Sequence, residues 1–92
     1  MREYYVSRNG GKVQRVSALD ASDAAGRIAR RKQKTMRGYD DLIVCLPAER
    51  RVWLFTYHPL PSSGFYKDFT LTEKPEMAAT WRPAMLGECL ER

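Results

Sequence analysis

Two apolar runs in the middle of the chain constrain its fold most. Residues 42–46 and residues 52–57 are nearly continuous in apolar side chains, and the segment between them carries Pro47 and charged residues. Short apolar runs bounded by turn residues are typical of buried strands. We therefore expect two central strands joined by a tight turn.

The first eighteen residues predict a β-hairpin. Residues 3–8 are rich in Tyr and Val, and residues 12–18 resume with two further valines. Between them, Asn9 and Gly10 tolerate positive φ, which the tightest hairpin turns require.

Two registers are open for this hairpin. If Asn9 and Gly10 form the loop, Val6 lies opposite Val13 and two valines meet on one face. If Gly10 and Gly11 form it, the register shifts and every residue takes a different partner. We expect the first register.

Residues 21–36 predict the principal helix. Asp20 fits its N-cap, and Gly38 suits the position just past its end. Asp23 can pair with Arg27 one turn later. Successive rotation by about 100° per residue gathers small apolar side chains on one face, namely Ala21, Ala24, Ala25, Ile28 and Ala29.

The opposite flank of this helix is basic. Residues 27–37 carry six positive charges and no negative one, and residues 1–38 hold ten basic and three acidic side chains in a chain of net charge +5. Such a block attracts polyanions or acidic protein faces without specifying which. A solvated face that only keeps the protein soluble is the alternative. The stripe consists of Arg27, Arg30, Arg31, Lys34 and Arg37.

The last third of the chain gives weaker signals. Residues 58–64 are rich in Pro, Ser and Gly and read as a loop, and residues 65–72 alternate as a half-buried edge strand does. Residues 76–81 and residues 83–91 have helical composition, but Pro83 forbids one continuous helix. Two short helical pieces are expected there.

This order of elements predicts an α+β fold. We expect an antiparallel sheet of four to five strands with a ββαββ core, one main basic helix and a short C-terminal helical segment. With 92 residues, the chain is expected to form a single domain, 1–92. No apolar run approaches the roughly 20 residues of a membrane helix, and the first residues lack a secretory signal, so a cytoplasmic location is expected.

The chemistry of an active site is missing from the sequence. His58 is the only histidine, and two cysteines, Cys45 and Cys89, make neither a zinc pattern nor a disulfide framework, so reduced thiols are expected. Asp40 and Asp41 have no further carboxylate nearby to make a metal set. We therefore expect a protein that is not an enzyme and uses no metal, cofactor or small-molecule substrate.

Binding is the better-supported class. The five cations of the helix stripe are the predicted contacts to phosphate or carboxylate, and the hairpin adds a second patch of Arg8, Lys12 and Arg15. Aromatic residues on the strands can stack on bases in principle, although a core role is favoured for them. They are Tyr4, Tyr5, Trp53, Phe55 and Tyr57.

One short motif matches a known RNA-binding signature only in part. Arg37, Gly38 and Tyr39 match the first three positions of the RNA-recognition-module signature, but Asp40 and Asp41 replace the small and aromatic residues that follow. The hairpin at the start of the chain also does not fit that module.

The sequence nevertheless resembles a known group of proteins. The hairpin residues 3–16, the small-residue helix segment 24–29 and the two apolar strands resemble the arrangement of several small phage-encoded anti-CRISPR proteins, over residues 3–57. The resemblance implies a stoichiometric inhibitor that docks on the subunits of a type I CRISPR surveillance complex, along its guide or target path, and blocks DNA recognition.

The charge of this chain departs from many members of that group, which are acidic DNA mimics. A basic N-terminal half cannot imitate DNA, so it would have to touch guide RNA, target DNA or an acidic subunit surface. A freestanding nucleic-acid-binding module or regulator from a phage or plasmid is the alternative function.

Overall fold

The computed structural model describes residues 1–60 and 68–78 as an antiparallel sheet with one helix packed on it, which confirms the α+β fold. The strands are β1 (Arg2–Arg8), β2 (Val13–Ala18), β3 (Asp41–Leu46), β4 (Arg51–Pro59) and β5 (Phe69–Glu73), and the helix α1 (Ala21–Arg31) lies between β2 and β3 in the chain. A short 3₁₀ turn, Pro47–Glu49, joins β3 to β4.

The strand order is β2-β1-β3-β4-β5, and every neighbouring pair is antiparallel. β3 lies in the centre, where Leu42, Ile43 and Val44 have no exposed surface. The predicted central strands and the tight connection between them are therefore confirmed.

The hairpin turn forms at the predicted residues. Asn9 and Gly10 both have positive φ, 54° and 78°, and the Gly11 N–H donates to the Arg8 carbonyl at 3.0 Å. This is the turn type that the right-handed twist of the flanking strands favours.

The pairing beyond the turn differs from both predicted registers. Ser7 lies opposite Val13, and Val6 lies opposite Gln14. Lys12 is therefore an extra residue between the turn and the first of these pairs, as in a β-bulge. The prediction that Val6 faces Val13 is wrong: Val6 packs under the helix, and Val13 packs on the other face of the sheet.

The helix begins as predicted but ends early. Asp20 caps it by accepting the Asp23 N–H at 2.7 Å, and the five predicted apolar residues are buried against the sheet. The helix ends at Arg31, five residues before the predicted end, and residues 32–35 form a turn. In that turn the Thr35 hydroxyl donates to the Lys32 carbonyl at 3.1 Å.

The second face of the sheet carries a smaller core. Its centre is formed by Ile43, Cys45 and Leu54, all without exposed surface. Residues 75–78 are helical, as expected for the first C-terminal piece, and Ala78 packs into this cluster. The described chain thus reaches both faces of the sheet.

The edge strand is confirmed over the part that the structure describes. Phe69 and Leu71 are half-buried and pack against the helix-side core, while Thr70 and Thr72 are exposed. The start of the predicted strand at residues 65–67, the loop at 61–64 and the helical residues beyond 78 lie outside the described residues.

Two glycine substitutions test the packing of the helix and the geometry of the hairpin. A Cβ at Gly26 meets nothing within 4 Å, whereas a Cβ at Gly11 would lie 3.2 Å from the Arg8 carbonyl oxygen. Gly26→Ala should raise the free energy of unfolding by about 0.5–1 kcal/mol, and Gly11→Ala should lower it by about 1 kcal/mol. Urea denaturation measures both, and a destabilised Gly26→Ala protein would contradict the open space beside this helical position.

Candidate nucleic-acid interface

Several basic side chains gather at one end of the molecule. β1 ends and β3 begins there, since Arg8 pairs with Leu42, and α1 returns to the same end because Arg8 also reaches Thr35 just beyond the helix. We call this surface the basic end and define it by Lys12, Arg31, Lys32, Lys34 and Arg37.

A partly buried carboxylate organises this end. Asp40 Oδ2 accepts hydrogen bonds from Arg8 Nε at 3.1 Å and from the Arg37 N–H at 2.8 Å, and Arg8 Nη2 lies 3.0 Å away. Asp40 Oδ1 accepts from Asn9 Nδ2 at 2.9 Å. Because these donors come from β1, the hairpin turn and the segment after α1, one carboxylate fastens three parts of the chain together.

Further hydrogen bonds extend the same network. Arg8 Nη1 donates to Thr35 Oγ1 at 3.0 Å, and Arg8 Nη2 donates to the Thr35 carbonyl at 2.6 Å. Asn9 Oδ1 accepts the Asp41 N–H at 2.7 Å, and the Asn9 N–H donates to the Asp41 carbonyl at 2.8 Å. The segment that carries Lys34 and Arg37 is therefore held against the hairpin.

The surroundings of Asp40 set its ionisation. Burial by itself raises the pKa of this carboxyl, but hydrogen bonds from Asn9 and the Arg37 N–H and the charge of Arg8 outweigh it, so that the pKa lies below its usual value. The ionised form is thus the one the fold stabilises.

Arg8 has a different place from the one predicted for it. Its side chain is only 25% exposed, and its guanidinium donates to Asp40 and Thr35. The sequence pattern predicts Arg8 as part of a partner-binding patch. In the structure its hydrogen-bond donors are instead occupied by other residues of the same chain.

The other two residues of the predicted hairpin patch lie on different surfaces. Arg15 pairs with Glu3 at 3.1 Å on the face of the sheet opposite the helix, since its neighbour Val16 packs under the helix. Lys12 is exposed in the turn region. Of the three, only Lys12 belongs to the basic end.

The predicted helix stripe divides into two parts. Arg27 forms the expected ion pair with Asp23 at 2.9 Å, and the Arg30 guanidinium lies over the Phe69 ring, 6.0 Å from its centroid. Both side chains border a groove between α1 and β5.

Arg31, Lys34 and Arg37 make up the second part of the stripe. All three are exposed, and Lys34 and Arg37 lie beyond the end of the helix. Within residues 1–60 and 68–78, no carboxylate lies within ion-pair distance of these three side chains. An open depression of about 460 Å³ runs between the side chains of residues 30–35.

Tyr39 adds an aromatic ring to this end. It is 78% exposed, and its backbone has a positive φ of 67°. Its N–H donates to the Tyr57 carbonyl at 2.9 Å, and its ring stands perpendicular to the His58 ring, 5.5 Å between centroids. The ring is thus presented to solvent, with one edge-to-face contact to His58.

Tyr39 was not among the binding residues predicted from the sequence. The strand aromatics were considered instead, and of these Tyr4, Phe55 and Tyr57 are buried, as the favoured core role requires. An aromatic residue between Gly38 and two aspartates, outside any apolar run, is the sequence signal that marks an exposed ring.

The described residues contain no group of three or more His, Cys, Asp or Glu side chains able to hold a metal ion. Cys45 is buried in the second-face core, and His58 packs against Tyr39. None of the helices in the described ranges is long and apolar enough to cross a membrane.

Comparisons of the chain with protein-family models, with curated proteins and with solved structures found no match. The interface is therefore defined by its own geometry. It combines an exposed aromatic ring with cations that have no acidic partner among the described residues, on a segment that Asp40 holds in place.

The Asp40 network predicts a specific pH dependence of stability. Because the pKa of Asp40 is lower in the folded chain than the unfolded value of about 3.9, its carboxylate stabilises the fold above that pH, and this contribution is lost as the pH falls through the folded-state pKa. Asp40→Asn should therefore lower the free energy of unfolding by about 1–3 kcal/mol at pH 7. The difference from wild type should shrink below about pH 4.

Urea denaturation at several pH values measures this difference. Glu76→Gln is the control, since Glu76 is exposed and its loss should change stability by less than about 0.5 kcal/mol. A difference between wild type and Asp40→Asn that stays constant down to about pH 2 would show that the charge of Asp40 does not matter.

Proposed function

We propose that the protein is a binding module, not an enzyme, and that its basic end contacts the phosphates of a nucleic acid. The observation that carries the proposal is the position of Arg31, Lys34 and Arg37: exposed, close together in the chain, and without a carboxylate partner in the described part of the protein.

The nearby acid does not cancel this charge. Asp40 is the carboxylate closest in sequence to Arg37, and its oxygens already accept from Arg8, Asn9 and the Arg37 backbone. Arg8 and Asp40 compensate each other's charge, so the cations around them keep their full attraction for an anion. The guanidinium groups of Arg31 and Arg37 suit phosphate well, because each presents donors in a planar fork.

The fixed position of the segment also favours a binding role. Residues 32–40 leave the helix and cross to β3, and hydrogen bonds from Arg8 and Asn9 tie them to the hairpin at several points. A segment that is ordered before binding loses less conformational entropy when it meets its partner. A basic loop that served only solubility would need no such support.

A simpler role for these residues makes a different prediction. Basic side chains in the last turn of a helix favour the helix because they offset the negative end of its dipole, and Arg30 and Arg31 occupy that turn. If the basic side chains near the end of the helix had only this role, their removal would lower the stability slightly and would leave nucleic-acid binding unchanged.

The triple variant Arg31→Ala, Lys34→Ala, Arg37→Ala distinguishes these roles. Nucleic-acid binding should weaken for every sequence alike, because phosphate contacts carry no sequence information. The slope of log K against log salt should become shallower by about 1 for each phosphate that the variant no longer neutralises. Fluorescence anisotropy with labelled DNA and RNA at several salt concentrations provides both quantities.

A charge-matched triple variant serves as the control. Arg2, Arg50 and Arg51 are exposed and lie at the opposite end of the sheet, where β3 ends and β4 begins, so their replacement by Ala removes the same charge elsewhere. Beyond about 10 Å such charges are screened at about 0.1 M salt, and the slope should stay near the wild-type value. Absence of any binding to DNA or RNA at low salt would refute the proposed function.

The resemblance to anti-CRISPR proteins supports a more specific form of this proposal. The protein would act in the host cytoplasm as an inhibitor that docks on a type I CRISPR surveillance complex, with the basic end on guide RNA, on target DNA or on an acidic subunit surface. Co-purification of the folded protein with that complex tests this form. Loss of the association after nuclease treatment would assign the contact to nucleic acid.

A further inference from the structure

We propose that Tyr39 is a stacking platform for an unpaired base, so that the basic end prefers single-stranded nucleic acid to duplex. This inference rests on the proposed function and names the class of nucleic acid. It depends on an aromatic ring, whereas the proposed function depends on charge.

The ring of Tyr39 is open to solvent. Tyr39 keeps 78% of its surface accessible, while Tyr4 and Tyr57 are 3% exposed and Phe55 is 5% exposed. The perpendicular contact with His58 and the hydrogen bond to the Tyr57 carbonyl hold the residue and leave most of the ring open. A tyrosine ring has only two side-chain torsions to restrict, so an open ring on a held backbone can stack on a base with little loss of side-chain freedom.

The backbone at Tyr39 is unusual for a tyrosine. A φ of 67° lies in the left-handed region, which asparagine and glycine adopt far more readily than a residue with a bulky side chain. Stability of this turn alone would therefore favour Asn or Gly at position 39. Strained backbone of this kind is a feature of ligand-binding segments. At this position the strained residue carries an exposed aromatic ring.

Cations lie close to the ring along the chain. Arg37 lies two residues before Tyr39, and both belong to the segment that Asp40 fastens. Cations that follow a phosphate backbone, interleaved with aromatic rings that take up bases, are the combination by which proteins bind single strands. In a duplex the bases stay stacked on one another, so only the phosphates are accessible, and those are contacted by the cations and not by the ring.

The experiment compares a labelled oligodeoxythymidine of about 12 nucleotides with a labelled duplex of equal length at one salt concentration. Tyr39→Asn removes the ring and leaves a residue suited to the left-handed backbone, and Tyr39→Phe keeps the ring. We expect Tyr39→Asn to lower the affinity for the single strand by roughly 5- to 150-fold and to leave duplex affinity unchanged. Tyr39→Phe should bind the single strand as wild type does.

Leu19→Ala is the control for loss of an exposed apolar side chain. Leu19 is 71% exposed and precedes the start of α1, at the other end of the helix from the basic end. Its replacement should leave both affinities unchanged. Thermal unfolding of each variant confirms that the fold is retained before binding is compared.

Each remaining outcome decides one of the two proposals. If wild type binds both forms equally and Tyr39→Asn changes neither affinity, the stacking role is wrong and the proposed function stands. If Tyr39→Asn weakens single strand and duplex alike, the ring makes a general contact and the preference is also refuted. If wild type binds neither form at low salt, the proposed function itself fails.

Discussion

The ion pair between Arg8 and Asp40 is the interaction on which the arrangement of the basic end depends. The two residues stand 32 positions apart in the chain, and their contact brings the end of β1 against the start of β3 while the helix packs above. The ionised carboxylate also accepts the backbone N–H of Arg37, so the cation-bearing segment is held by an acid. Without this pair the segment would be a run of like charges that repel one another.

Elements fixed by neighbouring residues could be predicted from the sequence. The N-cap at Asp20, the alanine face of α1 and the turn at Asn9 and Gly10 depend on side chains within a few positions, and the two central strands follow from continuous apolar runs. The end of the helix does not depend on neighbours alone. Arg8 donates hydrogen bonds to the carbonyl and the hydroxyl of Thr35 in the turn that follows the helix, and this contact from 27 residues away has no local signal.

The candidate site, like the fold, was predictable where it depends on neighbouring residues and not where it depends on distant ones. Charge density identified Arg31, Lys34 and Arg37 as exposed cations, because nothing in their own segment could neutralise them. It also selected Arg8, whose partner becomes visible only when the sheet brings β1 and the segment before β3 together. The register shift at Lys12 arises in the same way, because a bulge depends on how two strands meet and leaves no pattern in either strand.

The fold gathers several cations without an acidic partner at the basic end. In the described ranges, Arg2, Arg15 and Arg27 each pair with an exposed or half-exposed acid, and Arg8 pairs with a more deeply placed one. Among the same residues, five cations without an acid lie at the basic end, while Arg50, Arg51 and Lys74 lie elsewhere. A net charge of +5 spread evenly would attract a polyanion in any orientation. A group of cations at one end would instead favour approach with that end first, and under the proposed function the residues that meet the polyanion are those on the segment that Asp40 holds.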